Sequence, residues 1–72
     1  MGKLRVFSGR EVCYILEQHG FIQVRQRGSH LVMQRTVADV TLTVPVPDHK
    51  ELATGTLSAI IRQSGIPRTA FE

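Results

Sequence analysis

The residues best suited to chemistry in this 72-residue chain lie close together at Arg25, Arg27 and His30. Two arginines on alternate positions point to the same side of an extended strand. Gly28-Ser29, between Arg27 and His30, has the form of a two-residue hairpin, with Gly at the first central position of a type II′ turn. Such a turn fixes the register and brings His30 back opposite Arg27. An imidazole has an unperturbed pKa of about 6.5 and can take a proton at neutral pH. Guanidinium groups hold phosphate. A base beside a phosphate clamp suits cleavage of RNA by its own 2′-hydroxyl. The base takes the 2′ proton, the oxygen attacks phosphorus in line, and the cations stabilise the developing charge. The plainer reading of the same residues is a surface histidine after a turn, and spacing alone does not separate the two.

The elements that must position these residues are legible in pattern. Ser8 as N-cap with Glu11 three positions later makes a capping box, and Phe7 with Val12 makes a hydrophobic staple. Val12, Ile15, Leu16 and His19 follow helical spacing, and Gly20 ends a helix expected over Ser8 to His19. Phe21 to Arg27 reads as a strand, with Ile22, Val24 and Gln26 on one side and Gln23, Arg25 and Arg27 on the other. His30 to Arg35 returns beside it. The register set by the turn then puts Arg25 opposite Val32 and Gln23 opposite Gln34. Thr36 to Asp39 reads as a loop and Val40 to Val44 as a third strand. Pro45 and Pro47, which cannot donate to a ladder, are expected to stop the sheet. After an extended connection, Thr54 to Ser64 reads as a second helix with Leu57, Ile60 and Ile61 on its apolar stripe. Gly65, Ile66 and Pro67 mark its end, and the tail after Pro67 has the makings of one further turn.

The expected fold is therefore α+β, a two-layer α-β-β-β-α sandwich. A three-stranded antiparallel sheet carries both helices on one face, as in double-stranded RNA-binding domains. Ile22, Val24, Leu31 and Met33 are the apolar set and should meet the helices. His30, Arg25 and Arg27 then share the open face.

Composition sets the limits. Seventy-two residues allow one domain with a thin core and a shallow functional surface. The 42% hydrophobic content fits a globular chain, and a net charge of +3 leans toward an anionic partner. The lone Cys13 permits no internal disulfide and suits a reducing cytosol, where it would act as a small apolar filler in the first helix. The opening MGKLRVFSGR has no apolar stretch of the kind a signal peptide needs, and no run is long enough to cross a membrane.

Other candidates are weaker. His19 fits a helix end, stabilised by the helix dipole. His49 lies in a polar connection, where it could assist as an acid. The three His and one Cys lack zinc-site spacing, and the six acids form no magnesium cluster, so phosphodiester chemistry here is expected to be metal-independent. The amides and hydroxyls of Thr54-Gly55-Thr56 can hold a phosphate at a helix N-terminus, although an ordinary helix start is the simpler reading. Lys3, Arg5, Lys50 and Arg62 would widen a basic surface. No aromatic platform for stacking single-stranded bases is visible.

The stretches RQRGSHLVMQ, TLTVPVP and KELATGTLSAIIRQSGI, with LEQHGF before them, together resemble the HicA family of type II toxins, small mRNA interferases. The resemblance covers nearly the whole chain and treats residues 1–72 as one HicA-like domain. It implies a double-stranded-RNA-binding-like fold, ribosome-independent mRNA cleavage, and a HicB-type antitoxin that covers the active site; the cytoplasm is the expected compartment and no cofactor is expected. The family's catalytic histidine, in its G-S-H motif, matches His30, and Gly28 and Ser29 match the other two positions. The residue after the motif is often polar in the family; here it is Leu31, which removes a possible helper. The expected RNA contacts are Arg25, Arg27, Gly28, Ser29, Lys50, Thr54 and Thr56. Two other readings share the basic face: a non-catalytic RNA-binding module, and a degenerate toxin that only binds its antitoxin.

Overall fold

The computed structural model describes residues 5–72. Helix α1 spans Gly9–Gln18, and its start is the expected capping box. The Ser8 hydroxyl accepts from the Glu11 amide at 3.1 Å, and the Glu11 carboxylate accepts from the Ser8 amide at 2.8 Å. Those hydrogen bonds, from the Ser8 backbone first and its side chain second, hold the Glu11 carboxyl below the usual carboxylate range. Phe7 and Val12 are both buried, so the staple closes over the helix entry. Cys13 packs in the same core, and burial pushes its thiol up to about 11.

The start of α1 is pressed against the far end of the sheet. The Gly9 amide donates to the His49 carbonyl at 2.9 Å, and the Leu52 amide donates to the Phe7 carbonyl at 2.8 Å. A Cβ on Gly9 would overlap the Pro47 carbonyl oxygen, so only glycine permits this approach.

Three antiparallel strands follow in spatial order β1-β2-β3: β1 Ile22–Arg27, β2 His30–Val37 and β3 Val40–Pro47. Both hairpins turn on two residues. Gly28 at φ 57 makes the first turn, as the sequence indicates. The second is Ala38-Asp39, where Ala38 takes φ 54. The expected loop over Thr36 to Asp39 is thus shorter: β2 runs on to Val37, which pairs with Val40. No glycine or asparagine marks that turn, so an ordinary alanine accepts a left-handed backbone to make it.

Pro45 and Pro47 do not stop the sheet. They lie within β3, opposite Val32 and His30. The Asp48 amide donates back to the Ser29 carbonyl at 2.6 Å, so residues 48, 46 and 44 turn their amides inward. The two prolines then occupy alternate positions whose N faces away from β2, where a missing donor costs nothing and the sheet edge is blunted.

The first half of β1 departs from the expected register. Arg27 pairs with His30, Gln26 with Leu31 and Arg25 with Val32, but Gln23 pairs with Met33 and Ile22 with Gln34. The register shift between Gln23 and Arg25 leaves Val24 as the extra residue of a bulge. Ile22 therefore turns to the open side and is 63% exposed, and Val24 is 39% exposed. The two residues expected to meet the helices do not. Every residue of β1 is exposed. With no helix covering it, burial does not enforce one register there.

The core lies on one face of β2 and β3. Leu31, Met33, Val44 and Val46 meet Val12 and Leu16 of α1 and Leu57 and Ile60 of α2, Thr54–Ser64. Phe7, Phe21, Leu52, Ile66 and Phe71 close the margins, and Phe7 and Phe71 meet edge to face at 6.3 Å. Helix α2 ends at Gly65 in the left-handed conformation, and a 3-10 turn, Arg68–Phe71, carries Phe71 back under the core. The fold is α+β, in the order α-β-β-β-α, with both helices on one side. That layering is consistent with the double-stranded RNA-binding arrangement.

Candidate functional site

The open face of the sheet takes its residues from strand alternation. On β2 these are His30, Val32, Gln34 and Thr36, and on β3 they are Pro47, Pro45, Thr43 and Thr41. Arg25 and Arg27 add their side chains from β1. His30 is exposed, at the first position of β2, opposite Arg27 across one ladder and Pro47 across the other.

Two shallow concavities meet at His30. One runs along the open face, with Arg25 and Arg27 on one side, Val32 and Pro45 in the middle, and Gln34 and Thr43 at the far end. Its volume is about 470 Å³. The other drops over the β3 edge, past Pro45 and Pro47, to Gly55, Thr56 and Gln63 of α2. His30 lines both.

The predicted site residues divide accordingly. Arg25, Arg27 and His30 are brought together, and Thr56 lines the second concavity along with His30. Gly28 and Ser29 form the turn that sets this register, and the Ser29 carbonyl holds the Asp48 amide. Lys50 and Thr54 line neither concavity, although both are exposed. Helix α2 begins at Ala53 as N-cap, and no side chain caps its first amides. Arg62 lines neither concavity, Arg5 sits over the Phe7 ring, and Lys3 lies outside the described residues.

The remaining histidines lie elsewhere. His19 donates from Nδ1 to the Ile15 carbonyl at 3.0 Å, as a helix-end residue does. His49 is exposed in the β3–α2 connection and lines neither concavity. Leu31 is 2% exposed and points into the core. The position after His30 therefore serves packing, on the opposite side of the sheet from the imidazole.

The turn register already places Val32 and Gln34 on the face of His30, two and four residues beyond it, although neither is singled out there as a site residue. Sequence reasoning missed Thr43 and Pro45 as parts of this surface. They depend on the β2–β3 register, which the inconspicuous Ala38-Asp39 turn hides.

A three-stranded sheet with both helices behind it, and a histidine between arginines and a proline edge in front, defines a small α+β protein with one bare sheet face. The family model for the HicA toxin of bacterial toxin–antitoxin systems matches residues 9–66, and the chain belongs to that family. It is a toxin of a toxin–antitoxin system, which implies an antitoxin partner. The matched span holds Arg25, Arg27, Gly28, Ser29, His30, Lys50, Thr54 and Thr56. No curated protein matches the chain. Among the described residues, no helix is long and apolar enough to cross a membrane.

Proposed function

We propose that this toxin is an endoribonuclease that cleaves mRNA with His30 as general base. The observation that carries the reading is the position of His30: exposed, opposite Arg27, and shared by two adjoining concavities. A phosphodiester lying across that junction has its phosphate beside Arg25 and Arg27 and its 2′-hydroxyl at the imidazole. His30 removes the 2′ proton, the 2′ oxygen bonds to phosphorus, and the bond from phosphorus to the 5′ oxygen breaks. The products are a 2′,3′-cyclic phosphate and a 5′-hydroxyl. The leaving oxygen takes its proton from water or from the protonated imidazole. The arginines stabilise the charge on the pentavalent phosphorus. No step calls for a metal ion.

Thr56 and the amides at the start of α2 hold a neighbouring phosphate across the second concavity, with helix-dipole support. Gly28 and Ser29 act through the turn, their backbone approaching the RNA closely. Lys50 and Thr54, outside both concavities, add longer-range attraction only. The partner that silences the protein is a HicB-type antitoxin covering the open face.

The test is induction of wild type and His30→Ala in cells, followed by growth and transcript integrity, alongside cleavage of purified RNA with and without EDTA. Wild type should arrest growth and cut RNA in either condition, and His30→Ala should do neither while melting normally. Equal toxicity of the two would remove His30 from the mechanism. Loss of cleavage on chelation would overturn the metal-free route.

A further inference from the structure

Among the described residues, Arg10 and Asp48 form the one ion pair that joins distant parts of the chain, and Asp48 also bonds the turn that carries His30. We propose that Asp48, held by Arg10, is a positioning residue for His30. It grips the Gly28-Ser29 turn from the β3 side and so sets where the imidazole stands. This rests on the reading that His30 is the base.

The turn needs outside support. Gly28, Ser29 and His30 are all exposed, and an exposed turn has little packing of its own to hold it. Its two carbonyls are held from opposite sides. On the β1 side, Gln26 Nε2 donates to the Gly28 carbonyl at 3.1 Å. On the β3 side, Pro47 stands opposite His30 and has no N–H to give. β3 therefore reaches one residue further, and the Asp48 amide donates to the Ser29 carbonyl at 2.6 Å. That bond ends one residue short of the imidazole.

Asp48 is fixed in turn by α1. Arg10 Nη2 donates to Asp48 Oδ2 at 3.0 Å, and the next residue's carbonyl, that of His49, accepts from the Gly9 amide at 2.9 Å. The Asp48 carboxylate is partly buried beside the first turn of α1, where the helix dipole favours an anion. Arg10 is exposed, and an exposed pair contributes little to stability. Its contribution here is direction. It ties the end of β3 to a rigid helix, and the Asp48 amide carries that fixed point to the turn. A shift of about 1 Å in a catalytic group can cost about a hundredfold in rate, so a contact of small weight in folding has weight in cleavage.

The experiment measures kcat and KM for RNA cleavage, thermal melts and the NMR signals of the His30 ring. It compares wild type with Arg10→Ala, Asp48→Asn, their double variant, Asp48→Pro and Leu42→Ala. Asp48→Pro removes the amide donor. Leu42→Ala loosens the core at the other end of β3. Arg10→Ala and Asp48→Asn should each lower kcat about three- to tenfold with KM little changed, and the double variant should lose no more than either. Asp48→Pro should lose about ten- to a hundredfold. All four should shift or broaden the His30 ring signals. Leu42→Ala should melt lower yet keep the wild-type kcat and ring signals.

Wild-type kcat and unmoved ring signals in Arg10→Ala and Asp48→Asn overturn the proposal and leave the nuclease reading standing, whether or not Asp48→Pro folds. An equal loss of kcat in Leu42→Ala also overturns it, because the role is then merely structural. Ring signals that move in a protein whose wild type cuts no RNA do the reverse: Asp48 positions His30, and the nuclease reading falls.

Discussion

Arg27 and His30 face each other across the first rung of the β1–β2 hairpin, joined by only two turn residues. The pairing sits next to the turn and before the bulge, so it does not depend on the irregular half of β1. Replacing Arg27 with alanine should lower RNA cleavage by about 10² or more, as loss of one charge-stabilising donor does. Arg27→Lys should recover only part of the loss, because an ammonium cannot span two phosphate oxygens. The salt dependence of RNA binding should weaken as well, its log–log slope falling by about 0.7 per lost phosphate contact. Cleavage rates and a salt titration check all three outcomes.

Ala38 holds φ 54 in the turn that joins β2 and β3. An L-residue pays about 1–2 kcal/mol in that region, and glycine gives part of the relief back as unfolded-chain entropy. Ala38→Gly should therefore raise stability by about 0.5–1 kcal/mol. A higher urea midpoint with unchanged m-value is the expected reading. The turn lies at the opposite end of β2 from His30, so activity should not change.

Gly9 is the tight point between α1 and the end of β3. A methyl group there meets the Pro47 carbonyl, and Pro47 is the cross-strand neighbour of His30. Gly9→Ala should cost about 1–3 kcal/mol, the usual range for overpacking. It should also reduce activity under conditions where the protein remains folded, because relieving the clash moves the strand that flanks the imidazole. Denaturant melts paired with cleavage rates at low temperature separate the two effects.

Cys13 links stability to alkaline pH. Its folded-state pKa is raised from 9.0 to about 11 by burial. A raised pKa means that the folded state favours the protonated thiol. Its contribution is fully present below pH 9 and is lost as pH rises toward 11. Stability of wild type should fall across that window more steeply than that of Cys13→Ala. Thiol-modifying reagents should react slowly with the native protein and rapidly in urea.

Much of this molecule was legible without coordinates because it is local. The Ser8–Glu11 capping box, the stripe of Leu57 and Ile60, the Gly28-Ser29 turn and the Arg27–His30 pairing depend on residues close in sequence. Each is fixed by a hydrogen-bond geometry or a periodicity that tolerates few alternatives. The arrangement on the open face of Arg25, Arg27 and His30 followed from the same turn.

The tertiary structure decided what pairing over distance controls. The prolines of β3 look like breakers until the partner strand shows which way their nitrogens face. The reversal between β2 and β3 is legible, but no glycine at Ala38-Asp39 marks its two-residue length, so the rung joining Gln34 to Thr43 was hidden with it. Ile22 and Val24 have the alternation of a buried strand, but the helices lie over β2 and β3, and the bulge was free to turn Ile22 outward. Periodicity records which side chains favour burial; only packing decides which strand the helices cover.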